Sequence, residues 1–301
     1  MAHDRITIAQ CCGAIAAALL LAFSGSALAG KYVRVSPELT LHYEESGSGR
    51  PIIFIPGWSF TTRSMEQQVA HFSKRFRAIS YDPRGQGKSS KTRENNHYTQ
   101  HGADLLAFMA ALKLKNVVIV GHSWGCQTTY AYFRAHGTEN VKAFVCIDSP
   151  PKLIVEQEGD WGLVKAAAEL KPYHDGTAYA RAHATREFLQ SMVTRPLKPQ
   201  EIQALVDESM KTPTSIALQL DYDANMADYT AEARAIDGKV PVLNVLADPG
   251  WYDGWTAAGR AWVGRHAPHS EVEAFGLHLL HWEFPERFNA AVDAFLERAL
   301  R

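Results

Sequence analysis

Gly121-His122-Ser123-Trp124-Gly125 sets a serine between two glycines. The pentapeptide follows the apolar run Asn116-Val117-Val118-Ile119-Val120 and precedes the helix-like stretch Cys126-Gln127-Thr128-Thr129-Tyr130-Ala131-Tyr132-Phe133. A run of Val and Ile favours an extended strand. A strand that passes straight into a helix must turn tightly, and a side chain at either glycine would crowd the neighbouring backbone. Such a turn lifts the serine hydroxyl above the strand ends, where it can act as a nucleophile. Without that context the same five residues would fit a turn serine bonded to its own backbone.

The flanking sequence alternates strand and helix. Pro51-Ile52-Ile53-Phe54-Ile55 and Val141-Lys142-Ala143-Phe144-Val145-Cys146-Ile147 are further apolar runs, as expected of strands buried on both faces. Phe76 to Tyr81, Val240 to Leu246 and Glu271 to Phe275 also read as strands, after two short N-terminal ones within Lys31 to Glu45. Helices are expected over Ser64 to Arg75, His101 to Leu112, Asp253 to His266 and Pro285 to Leu300, with Leu277 to Trp282 a loop. Strand–helix alternation predicts an α/β fold with a mostly parallel central sheet flanked by helices. Between 151 and 238 no apolar strand run occurs, and four helices are expected: Trp161 to Leu170, Thr177 to Thr194, Pro199 to Lys211 and Thr214 to Met226. The expected organisation is a core over 30–150, an inserted helical cap over 151–238, and the second part of the core over 239–301.

Residues 1–29 read differently. Arg5, the apolar run Cys11 to Phe23 and Ala27-Leu28-Ala29 predict a secretory signal cleaved after Ala29. The run falls short of the roughly 20 residues a membrane span needs. The expected location is exported, periplasmic or secreted, with no membrane attachment after cleavage. A net charge of -1 gives no reason to expect nucleic acid or an anionic surface as partner. Of the 4 cysteines, Cys126 and Cys146 lie beyond the signal. They read as buried free thiols, with a bridge between them left open by the sequence. The histidines form no His-Glu-x-x-His and pair with no cysteine, so no metal site is expected. Asp82-Pro83-Arg84-Gly85-Gln86-Gly87 lacks phosphate-loop spacing and reads as a structural turn.

The motifs Phe54-Ile55-Pro56-Gly57-Trp58, Asp82-Pro83-Arg84-Gly85-Gln86-Gly87-Lys88-Ser89, Gly121-His122-Ser123-Trp124-Gly125 and the late Gly276-Leu277-His278 loop together resemble the α/β-hydrolase fold superfamily. The resemblance is to its haloperoxidase- and esterase-like branch with a helical cap, and it covers essentially the whole chain beyond residue 29. It implies a catalytic triad in the order Ser, Asp or Glu, His. Ser123 takes the nucleophile's place. His278 takes the base's, because Glu283 and Pro285 follow it at the family's spacing; His281 is its neighbour in the loop. For the acid, Asp148 ends the strand next after the nucleophile's, and Asp248 follows a later strand without the family's usual glycine and spacer. Asp148 is preferred and Asp248 is the alternative. The backbone N–H groups of Trp58 and Trp124 are the expected oxyanion hole. Trp161, Tyr173, Phe188 and Met192 are candidates to line a pocket or to pack the cap.

The implied activity is a serine hydrolase cleaving a small or medium apolar carboxylic ester or lactone, with a small-molecule substrate and no cofactor. A serine nucleophile argues against a haloalkane dehalogenase, which would need Asp there, and against a dienelactone-hydrolase thiol site. The competing reading is cofactor-free oxygenation or carbon–carbon bond cleavage with His278 and Asp148 as base. A non-catalytic binding protein on this scaffold would have no need of the Ser, His and acid set. The sequence names neither the substrate nor the oligomeric state.

Overall fold

The computed structural model describes residues 30–163 and 171–301. The expected signal, 1–29, and most of the helix expected over Trp161 to Leu170 lie outside the described residues. Among the described residues eight strands form one sheet, in the order β1-β2-β4-β3-β5-β6-β7-β8. Here β1 is Lys31–Arg34, β2 Thr40–Ser46, β3 Pro51–Ile55, β4 Arg77–Tyr81, β5 Val117–His122, β6 Val141–Ile147, β7 Val242–Leu246 and β8 Glu271–Ala274. The β1–β2 and β2–β4 pairs are antiparallel and all the others parallel. The strand β5 that leads into Ser123 is therefore central, with β3 and β6 beside it, and the strand ends that carry Ile55, His122 and Ile147 point the same way.

Successive strand residues face opposite sides, and the two sides carry separate cores. Ile53, Ile119 and Phe144 pack with Leu105 and Phe108 of α2 (Tyr98–Ala111) and Tyr130 and Phe133 of α3 (Trp124–His136). Phe54, Val118, Val120 and Val145 pack on the other face with Phe72 of α1 (Glu66–Phe72) and Phe288 and Phe295 of α10 (Pro285–Ala299). Burial on both faces is why these strands read as unbroken apolar runs.

Between β6 and β7 lie α4 (Lys171–Ser191, bent at Ala180), α5 (Pro199–Met210), α6 (Thr214–Met226) and α7 (Thr230–Ile236). Helix α7 was not expected; its seven residues are too few to display an apolar period. Trp161-Gly162-Leu163 is not helical. Trp161 is instead buried against Trp255 and Trp262, and Gly162 passes so close to Leu153 that a Cβ would lie 2.4 Å from its carbonyl oxygen. Both tryptophans belong to α8 (Trp255–His266). The loop expected over Leu277 to Trp282 contains one helical turn, α9 (Leu280–Glu283), because Leu280 and His281 are both buried beneath it. No helix among the described residues is long and apolar enough to cross a membrane.

The two cysteines are not free thiols. Cys126 and Cys146 form a disulfide, with their Cα atoms 5.5 Å apart. Strand register brings them together: Cys146 pairs with Gly121 across β5 and β6, and a Cβ on Gly121 would lie 2.7 Å from the Cys126 nitrogen. A sequence does not display register, so this proximity was not readable. The bridge closes a loop with a separation of 20 residues. Replacing both by alanine is expected to lower unfolding free energy by ~3 kcal/mol, and reductant should move the wild-type denaturant midpoint to that of the double variant. An unchanged midpoint in both experiments would exclude a stabilising bridge.

Candidate active site

Ser123 sits between β5 and α3 with φ 52° and ψ -125°. For a residue with a side chain this conformation is strained, typically by ~1–3 kcal/mol. The surroundings hold it there. The Ser123 N–H donates to the Ile147 carbonyl at 2.8 Å, and its own carbonyl accepts from the Cys126 N–H at 2.9 Å. Gly125 is required by close approach: a Cβ there would lie 2.4 Å from the Ile55 carbonyl oxygen. The turn thus places the hydroxyl at the N-terminus of a 13-residue helix, where the helix dipole favours developing negative charge.

His278 follows Gly276 in the loop after β8, and its Nδ1 lies 2.6 Å from Asp148 Oδ2. Asp148 directly follows β6 and also has a positive φ, 46°. Its carboxylate accepts three other hydrogen bonds. Oδ1 takes the Ala247 N–H and the Trp255 indole, each at 2.9 Å, and Oδ2 takes the Trp251 indole at 3.0 Å. With every donor aimed at a carboxylate, His278 Nδ1 carries the proton and Nε2 is left with its lone pair. Asp248 is bonded elsewhere. Its carboxylate accepts from Thr256 Oγ1 at 3.0 Å near the start of α8, and its N–H donates to the Gly276 carbonyl.

Ser123, His278 and Asp148 line one cavity of about 170 Å³. Its walls are Trp58, Phe60, Trp124, Leu153, Leu163, Phe188, Met192 and Trp251, and Asp221 and Asn225 of α6 also face it. Of the residues expected in the cap, Phe188 and Met192 reach this cavity, while Trp161 is spent in the core. The side chain of Tyr173 lies outside what is described.

The loop after β3 carries Trp58. A Cβ on Gly57 would lie 3.0 Å from the Ser123 Cβ, so this loop and Ser123 are in close contact. Three clamps fix the loop. Gln86 Oε1 accepts the Ser59 N–H at 2.7 Å, the Trp58 indole donates to the Ala217 carbonyl of α6 at 2.8 Å, and Arg181 of α4 donates to Ser59 Oγ at 3.1 Å. Arg84 forms a buried two-point pair with Asp104, at 2.7 and 2.8 Å, so the Asp82 to Gly87 turn is structural and its Gln86 serves the site. Sequence reasoning missed Gln86, Arg181 and the Trp251 and Trp255 indoles. Each acts across long sequence separations, and an isolated Gln, Arg or Trp carries no motif.

Two further imidazoles lie in the core beneath, tilted by 50° to one another. The rings of His122 and His281 are 4.4 Å apart, and those of His122 and His278 4.7 Å. His122 Nε2 faces the His278 carbonyl at 3.0 Å and donates to it, since a carbonyl can only accept. Burial, then the neighbouring histidines, drives His122 well below its ordinary value and His281 down to about 3. Burial also lowers His101, in α2, to about 4. These three stay neutral near pH 7. Because the folded values lie below the ordinary 6.5, the unfolded chain binds protons that the folded chain refuses. Their stabilising contribution is complete above pH 6.5 and is lost as pH falls toward 4 and then 3. Urea midpoints are expected to drop across that window, with a shallower drop in His281→Leu; equal slopes would refute the assignment.

Among the described residues no group of three or more His, Cys, Asp or Glu side chains is gathered to hold a metal ion. The profile of the alpha/beta hydrolase fold family matches residues 50–285. A non-heme haloperoxidase of Rhodococcus erythropolis is 34% identical over 130 residues, covering 43% of this chain and 47% of that protein. The chain thus spans about half the length of the first curated relatives it matches. The 3-oxoadipate enol-lactonase 2 of Acinetobacter baylyi is 25% identical over 87% of this chain and 94% of its own. The crystal structure of a bromoperoxidase from Bacillus anthracis superposes with a TM-score of 0.80 at 24% identity, over 89% of this chain and 99% of that one.

Proposed function

Because the chain belongs to the alpha/beta hydrolase fold family, we propose that it is a serine hydrolase of small or medium, largely apolar carboxylic esters or lactones. The observation that carries this reading is the 2.6 Å His278–Asp148 pair on the same cavity as the Ser123 turn. Ser123 Oγ attacks the carbonyl carbon while His278 Nε2 takes its proton. Asp148 holds the imidazole in the productive tautomer and stabilises the imidazolium. Negative charge on the former carbonyl oxygen is met by the backbone N–H groups of Trp124 and Trp58. His278 then returns the proton to the leaving alkoxide, which leaves an acyl-enzyme on Ser123. Water, deprotonated by His278, releases the acid and restores the serine.

The aromatic walls support an apolar substrate, and the enol-lactonase relative supports ester or lactone chemistry. Residues 1–29 are proposed to direct export, and the Cys126–Cys146 bridge is in keeping with an oxidising compartment. The test is a panel of p-nitrophenyl esters and simple lactones, run beside labelling with a fluorophosphonate probe. Turnover and labelling of Ser123 are expected. No turnover together with no labelling would overturn the reading.

A further inference from the structure

The cavity is apolar except at two places. One is the Ser123, His278 and Asp148 set with the adjoining Ser149, whose hydroxyl turns to the Pro150 carbonyl. The other is on α6, where Asp221 and Asn225 face the same space. They are four residues apart, so they share one helix face. The Asn225 side chain acts on the Asp221 carboxyl, and both are buried, Asp221 completely. A carboxyl in an aromatic cavity is costly unless something polar meets it. The proposed mechanism gives this pair no task.

Helix α6 is not a loose flap at this point. The Ala217 carbonyl accepts from the Trp58 indole at 2.8 Å, and the Ala224 carbonyl accepts from Gln127 of α3 at 3.1 Å. Asp221 lies midway between these two anchors to the core. Its carboxyl is therefore held in position before any substrate arrives, as a recognition group must be. Burial pushes it up to about 7, against the pull of the Asn225 amide. Near neutral pH a large share of it is the uncharged acid, which can donate a hydrogen bond.

We propose that Asp221 and Asn225 form a recognition pair for a neutral oxygen of the substrate remote from the scissile carbonyl. The preferred esters or lactones then carry an ether, hydroxyl, keto or amide group rather than a plain hydrocarbon chain. This rests on the hydrolytic reading of Ser123. The pair is a specificity determinant and takes no part in bond making or breaking.

The experiment compares isosteric p-nitrophenyl esters: pentanoate against 3-methoxypropanoate, and hexanoate against 4-methoxybutanoate. Within each pair one methylene is replaced by oxygen. Wild type is expected to favour the ether in at least one pair, chiefly through KM. Asp221→Leu should cut that preference by roughly tenfold or more. Asp221→Asn, which keeps a donor, should retain most of the preference. Because the readout is a ratio within one preparation, a fall in folded fraction cancels. Hydrolysis of the hydrocarbon esters with no Asp221-dependent preference would overturn this inference alone. So would preference for an ammonium-bearing analogue over the ether, which would make Asp221 a charged partner. Absence of all hydrolysis and of fluorophosphonate labelling would overturn the hydrolytic reading, and this one with it.

Discussion

Ser123→Ala is expected to reduce ester turnover by about 10⁶-fold and to abolish fluorophosphonate labelling. The size follows from how the site works as a unit. Without the hydroxyl no acyl-enzyme forms, and His278 has no proton to accept from the enzyme. What remains is the oxyanion donors and substrate binding, worth roughly 10³–10⁴ over water. The substitution should fold normally, because the positive φ at 123 and the backbone bonds to Ile147 and Cys126 involve no side-chain oxygen. The same variant separates the two catalytic readings. Cofactor-free oxygenation or carbon–carbon cleavage driven by the His278–Asp148 base would keep a substantial fraction of its rate in Ser123→Ala. Steady-state kinetics with the best ester, and an oxygen-uptake assay beside it, check both.

Asp148→Asn is expected to lower kcat by about 10⁴-fold with little effect on KM. The carboxylate accepts from four donors: the Ala247 amide, the Trp251 and Trp255 indoles and His278. An amide in its place has one oxygen and one NH₂. Keeping the oxygen on the Ala247 amide and the Trp255 indole puts the NH₂ where Oδ2 was, so the Trp251 indole loses its acceptor and His278 meets a donor, accepts at Nδ1 and carries its proton on Nε2. That is the wrong nitrogen for taking a proton from Ser123. Asp248→Asn, by contrast, should leave kcat near the wild-type value, since Asp248 meets Thr256 and not the imidazole. A large loss in Asp248→Asn with a small one in Asp148→Asn would reverse the assignment.

Much of this was readable in the chain. The Val117 to Val120 run and the two glycines around Ser123 specify a buried strand, a tight turn and a helix through local sterics alone. The parallel sheet follows from the same logic repeated. Asp148 was the preferred partner of His278 because one helix and one strand return the chain to the nucleophile's edge of the sheet. The sequence could not close the choice against Asp248, because the direction of each side chain depends on the turn that carries it. Asp148 has φ 46°, and nothing in its sequence neighbourhood announces a left-handed aspartate. Register was invisible too, which is why Cys126 and Cys146 read as separate thiols. The pocket walls were least legible. Phe188, Met192 and Trp161 all look alike as apolar residues of helix-like stretches, yet two face the cavity and the third fills the core.

The loop that holds Trp58 is hydrogen-bonded to two of the inserted helices, through Ala217 and through Arg181. Under the proposed mechanism, substrate choice and transition-state stabilisation are therefore mechanically joined. On that reading the helices that line the cavity also set the position of the Trp58 amide, the proposed oxyanion donor. Exchanging the insertion for another would not be a modular swap of specificity. It would retune the rate of the chemical step at the same time.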